Sequence, residues 1–165
     1  MVHCEFREVL AEDFDIVFAH IRKENVEELE MDDALRLENV MRWCISESQL
    51  ALTGVIDDEP VCIFGVVDHG DNVGQPWMFG TSLIDKHAVS FLKASRYVVG
   101  RLLDEWPKLE NWTDARNARG LRWLKFMGFT IHPAAPHGPK GLPFHHVERS
   151  APCASLQPQP QSSPC

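Results

Sequence analysis

Apolar residues recur with two different periods along this chain, and the switches between them divide it into elements. Residues 4–9 alternate as a short strand. Phe14, Val17, Phe18 and Ile21 then fall at helical spacing behind Glu12 and Asp13, acids that suit a helix N-terminus. Val26 and Leu29 either extend that face or open a loop. Asp32-Asp33 is positioned to cap a second helix carrying Leu35, Leu37, Val40, Met41 and Ile45. Two β-rich runs, 49–56 and 61–67, flank Asp57-Asp58-Glu59-Pro60, which is turn chemistry. A looser turn over 68–76 leads into a strand at 77–84.

Asp85 is placed to cap a long helix over 87–106, with Leu92, Ser95, Val99, Leu102 and Trp106 on one stripe. Gly100 is tolerated within it or allows close packing, Tyr97 is a packing residue, and Pro107 ends the helix. A short strand at 109–113 precedes a helix opened by Asp114 and closed at Gly128, where a left-handed residue is wanted. A strand begins at 129–131, and a Pro/Gly-rich excursion over 133–143 separates it from a last strand at 144–149. Residues 151–165 are Pro/Gln/Ser-rich, cannot bury a face, and are expected to be a disordered tail. The order β-α-α-β-β-β-α-β-α-β-β predicts one α/β domain over 1–150: a mixed sheet with helices on both faces and one right-handed parallel crossover.

Charge adds an asymmetry to this outline. Residues 1–60 carry 16 acidic and 5 basic side chains, whereas 61–165 carry 8 and 11. The basic half suits a phosphate-bearing ligand, or is simply a solvated face of mixed charge. No run is long and apolar enough for a transmembrane helix, and the N-terminus lacks a secretion signal, so an intracellular, non-membrane protein is expected. Cys4, Cys44, Cys62, Cys153 and Cys165 have neither disulfide-framework nor zinc-site spacing.

No Walker loop, Ser-His-Asp order or paired-carboxylate motif is present. Glu30, His69, Glu110, Asp114 and His132 lie at strand ends or in loops, where each is a candidate general base or an ordinary solvated or capping residue. His132, His137, His145 and His146 gather near the C-terminus, but their spacing matches no closed metal site, so no metal is assigned. Trp77, Trp106, Trp112 and Trp123 occur near arginines, yet their placement on elements favours packing over base stacking. There is no specific nucleic-acid signal.

The element order, together with the segment Asn117-Ala118-Arg119-Gly120-Leu121-Arg122-Trp123-Leu124-Lys125-Phe126-Met127-Gly128-Phe129, resembles the GCN5-related N-acetyltransferases. In that family the fourth helix and its turn read N-x-[RK]-A-x-x-x-Y-x-K-x-G-F, and Asn117, Arg119, Gly128 and Phe129 fall in register. More narrowly, Trp77-Met78-Phe79-Gly80-Thr81, Asn111-Trp112-Thr113-Asp114 and Gly141-Leu142-Pro143-Phe144-His145 are similar to small acetyltransferase-like proteins of short-tailed bacteriophages, some of them internal virion proteins. The resemblance implies acetyl-CoA as cofactor, a host-cytoplasm or virion location, and a cofactor site at Leu83, Ile84, Lys86, His87, Ala88 and Asn117.

Two expected parts are missing. The family's phosphate turn reads [RQ]-x-x-G-x-[GA]; here it is Ile84-Asp85-Lys86-His87-Ala88-Val89-Ser90, with no glycine and with an acid where phosphates would sit. Lys86 and His87 offset that charge in part. The family's tyrosine, which protonates the leaving thiolate, is replaced by Leu124. Two readings follow: a non-catalytic module with a degenerate acetyl-CoA site that binds a phage or host protein, or an active N-acetyltransferase with atypical cofactor contacts, holding pantetheine on the strand of Leu83 and Ile84. The first is favoured.

Overall fold

Two turns marked in the sequence, a tight one at 57–60 and a looser one after 68, join three successive strands of the sheet. The computed structural model describes residues 3–29 and 34–152. Strand β2 (Leu50–Ile56) returns as β3 (Glu59–Asp68) through Asp57 and Asp58, both at positive φ (49° and 66°), the conformation a two-residue hairpin requires. The chain then reverses through Gly70, Asp71 and Asn72, all at positive φ, into β4 (Val73–Gly80). Strand β1 (Cys4–Glu8) pairs antiparallel with β2. β4 meets β5 (Lys108–Asp114) in the sheet's parallel contact. The final hairpin, β6 (Thr130–His137) and β7 (Leu142–Ser150), adds on with β7 against β5. The strand order is β1-β2-β3-β4-β5-β7-β6.

Alternation along β3 assigns the layers. Ile63 packs with Phe14 and Val17 of α1 (Ala11–Ala19) and with Leu37 and Met41 of α3 (Ala34–Glu47). Val66, on the opposite face, packs with Val99, Leu102 and Leu103 of α4 (Ala88–Glu105), beside Met127 and Phe129, which follow α5 (Ala118–Phe126). The predicted mixed sheet with helices on both faces is observed. A short helix, α2 (Lys23–Glu28), is added where an extended face or a loop was expected. Asp32 and Asp33 lie outside the described residues, as does the tail from 153 onward.

Four expectations need correction. The long helix starts at Ala88 after a 3-10 turn over Ser82–His87, and Asp85 caps nothing. Its buried stripe is Phe91, Ser95, Val99, Leu102 and Leu103, shifted from Leu92, while Tyr97 is 68% exposed. The cap of α5 is Asn117, whose side chain accepts the Gly120 N–H at 2.8 Å, in place of Asp114. The Pro/Gly excursion is mostly strand: β6 runs to His137, because Pro133 sits at a register shift and β6 is an edge strand, where proline costs no ladder bond. Gly128 does adopt φ +81°, as expected at a helix C-terminus.

The α1 layer is pinned by a buried acid. Asp13 accepts two bonds from Arg7 (2.5 and 2.8 Å), one from the Leu10 N–H and one from Thr53 Oγ1, both at 2.9 Å. Burial pushes its carboxyl up, but these donors outweigh that and hold it below the usual carboxylate range.

The apex where β4 meets β5 is packed on a glycine. A Cβ on Gly74 would lie 2.8 Å from both Trp106 Cγ and Val66 Cγ1, whereas nothing lies within 4 Å of one on Gly100. Gly74→Ala should therefore destabilise by about 1–3 kcal/mol through overpacking. Gly100→Ala, in mid-helix, should be neutral or stabilise by up to about 1 kcal/mol. Urea unfolding of both variants checks the contrast; equal effects would mean that the apex is not tightly packed.

Candidate functional site

β4 and β5 pair only at Val73–Lys108 and Gly74–Leu109 and then part. Asn111 is the wedge. Its side chain accepts a bond from Gln75 Nε2 (3.0 Å) and from its neighbour Trp112 N–H (2.7 Å), and donates to the Pro76 carbonyl (2.7 Å). Beyond it opens a cleft of about 540 Å³, walled by Trp77, Met78, Phe91, Trp112, Trp123 and Leu124 among others. The indole N–H of Trp123 is buried and has no acceptor among the described residues.

A strand that leaves its neighbour exposes main-chain groups that must be satisfied. Here the chain satisfies them itself. Asn25 of α2 donates to the Met78 carbonyl and accepts the Gly80 N–H, both at 3.0 Å. The Arg22 N–H donates to the Gly80 carbonyl at 2.9 Å. One carboxamide thus makes the two bonds that an amide of an extended ligand would make along this edge.

The turn after β4 is fixed in the same way. Thr81 sends both its N–H and its Oγ1 to the Val61 carbonyl at 2.9 Å, and its Oγ1 accepts the Leu83 N–H at 3.3 Å. These bonds end the strand at Gly80 and start the 3-10 turn. Leu83 and Ile84 therefore belong to that turn rather than to a strand; Ile84 is 5% exposed and packs against Phe91. Asp85 is clamped between Arg22 and Arg119, the latter donating to both carboxylate oxygens at 2.6 Å.

Among the carboxylates beside the cleft, Glu28 stands apart. It lies at the end of α2, lines the cleft and accepts the Asp114 N–H at 2.9 Å. Burial, helped by the nearby Asp114 charge and opposed by that amide bond, pushes its carboxyl up to about 7. Asp114 itself is held low by Arg116, at 2.6 Å. Glu110 is held low, first by Lys108 at 2.7 Å. His69 is tied to Gln75 (2.6 Å) and His132 to Glu148 (2.7 Å). Glu30 lies outside the described residues.

Solved structures match this architecture over nearly its whole length. The aminoglycoside acetyltransferase AAC(6')-Ib, in complex with coenzyme A, superposes with a TM-score of 0.66 at 15% identity, over 90% of this chain and 95% of that one. An acetyltransferase of the GNAT family from Bacillus anthracis gives 0.70 at 9%, over 89% and 94%. A ribosomal-protein-alanine N-acetyltransferase from Brucella melitensis gives 0.66 at 12%, over 89% and 99%. The chain has the GCN5-related N-acetyltransferase fold. In sequence, no protein-family profile and no curated protein matches it.

Of the residues expected at the cofactor site of this GNAT fold, Asn117 lines the cleft. Leu83, Ile84, Lys86, His87 and Ala88 fall in the 3-10 turn and the first residue of α4, outside the residues that line it. Glu28, Asn25 and Arg22 were missed. Their segment reads as a polar patch in sequence, and only the half-apolar spacing of Val26 and Leu29 hinted at an element there.

The raised Glu28 carboxyl sets a sign for pH. Between its ordinary 4.5 and about 7, the folded state keeps a proton that the unfolded chain has released. Its contribution to stability is complete below the lower value and is lost as pH rises to the upper one. Glu28→Gln keeps an acceptor for the Asp114 amide without the charge. Relative to the parent, it should gain on the order of 3 kcal/mol as pH rises from about 4 to about 8. Denaturant titrations across that range decide it, and parallel pH profiles for the two proteins would refute the shift.

Proposed function

We propose that this chain uses the acetyltransferase fold as a binding module whose coenzyme cleft is closed along its polar edge by the chain's own groups. The observation that carries this reading is the double occupancy by Asn25 and Asp85. Asn25 takes the Met78 and Gly80 main-chain groups that would hold the amides of a pantetheine arm. Asp85 sits between Arg22 and Arg119, in the turn where the resemblance puts the pyrophosphate. The apolar walls of the cleft suit an acyl-pantetheine, but the polar edge and the phosphate end do not fit acetyl-CoA while these contacts stand.

On this reading the fold is a rigid platform for a protein partner of phage or host origin, in the virion or the host cytoplasm. Support for that setting is the wording of the segments around Trp77, Asn111 and Gly141. A second reading, an active N-acetyltransferase acting on an amine, is favoured by one observation. Glu28, at the cleft and titrating near neutrality, suits a general base.

Thermal unfolding with millimolar acetyl-CoA, against free CoA and ATP, separates the two. The parent chain should show no coenzyme-specific rise in midpoint. In Asn25→Ala/Asp85→Asn, which frees the β4 edge and both arginines, a rise should appear; ligand at about a hundred times its Kd adds ~2.7 kcal/mol. A coenzyme-specific rise in the parent would overturn the module reading and call for an acceptor screen.

A further inference from the structure

On the other side of the sheet from α4 and α5, the β5-β7-β6 half carries a row of rings and carboxylates, of which Trp112 also walls the cleft. Register explains their meeting. Leu109 and Val147 point into the α4 core, so their neighbours Glu110, Trp112, His146 and Glu148 share the opposite face. Glu110 stands opposite Glu148, and Trp112 opposite His146. β6 brings His132 to the same place. Its pairing jumps from Ile131↔Val147 to Ala134↔His145, so His132 and Pro133 together face His146, a bulge of the kind that re-aims side chains next to sites.

The result is a compact set of donors. His132 Nε2 lies 2.7 Å from Glu148 Oε1, and His146 Nε2 lies 3.4 Å from Glu110 Oε2. One ligating atom from each of His132, His146 and Glu148 falls within 4.8 Å of the others. The rings of His132 and His146 stack at 5.2 Å, and His146 in turn leans on Trp112 at 5.2 Å, which fixes the imidazoles in position. Lys108 bridges Glu110 (2.7 Å) and Glu148 (3.0 Å) through its ammonium, so one of the two carboxylate charges is already compensated.

We propose that His132, His146 and Glu148 form a binding site for a divalent transition-metal ion of the zinc class, with Glu110 beside it. Two imidazoles and a carboxylate select borderline ions such as Zn²⁺ over Mg²⁺ or Ca²⁺, which take all-oxygen shells. Three protein ligands at a half-buried surface leave a coordination position open to water. The ion takes the place of the hydrogen bond between His132 Nε2 and Glu148 Oε1. It ties β6 to β7 through one centre, with Glu110 of β5 alongside. The four histidines noted in the sequence thus separate: His132 and His146 bind, whereas His137 stacks on Trp112 at 4.3 Å and His145 Nδ1 contacts the His132 carbonyl at 2.7 Å. This site is independent of how the cleft is read.

The test is calorimetric titration of the full, chelator-stripped chain with Zn²⁺, with Mg²⁺ as control and Co²⁺ absorption to report the ligand set. One Zn²⁺ per chain should bind, with no heat from Mg²⁺. His132→Ala and His146→Ala should each weaken binding at least about tenfold, and Glu148→Gln, which preserves shape, should do the same. His20→Ala, at an exposed helix end, should leave it unchanged. Circular dichroism establishes that each variant is folded, and Glu148→Gln carries the test if a histidine variant is not. Absence of Zn²⁺ binding at millimolar concentration would overturn the proposal. So would binding that survives all three substitutions or that is abolished by thiol alkylation.

Discussion

Everything distinctive about this molecule follows from the place where β4 and β5 stop being partners. Two residue pairs join them, Trp106 seals the apex over Gly74, and Asn111 wedges the strands apart. Separating two central strands costs ladder bonds in the middle of a sheet, and buried peptide groups do not go unpaired. The chain answers with Asn25 and the Arg22 main chain on the β4 edge. The same splay opens the cleft and lets α2 reach across to the end of β5, where Glu28 meets Asp114.

Among the described residues, the carboxylates around the cleft follow a simple rule with one exception. Asp85 has Arg22 and Arg119, Asp114 has Arg116, and Glu110 has Lys108. Glu28 is held by an amide instead, so desolvation dominates and its proton is retained toward neutrality. A tunable acid beside a cleft and an internally compensated anion in the turn after β4 pull toward opposite functions. The proposed module reading rests on the hydrogen-bonded closure, which occupies the main-chain groups of the β4 edge, whereas a poised carboxyl only makes chemistry possible.

Legibility varied with the range of the interactions involved. The Asp57-Asp58 turn, the Gly128 cap and the helical faces of Phe14, Val17, Leu37 and Met41 could be read because local conformation and periodicity carry them. The end of β4 could not. Thr81 stops the strand by bonding Val61, 20 residues away. Pro133 and Pro136 suggested a loop because nothing local says that β6 is an edge strand.

The sequence by itself therefore determined the order of the strands and of the longer helices, the mixed sheet, the two helical layers and the absence of glycine from the turn at 84–90. Each is a property of neighbours along the chain. Tertiary structure decided what the polar residues do. Asn25 and Gly80 lie 55 positions apart, Asp85 and Arg119 34 apart, and Glu28 and Asp114 86 apart. His132 and Glu148 meet only because β6 and β7 pair. Hydrogen bonds and ion pairs act over about 3 Å in space, and no periodicity in a sequence encodes which distant groups the fold will bring that close.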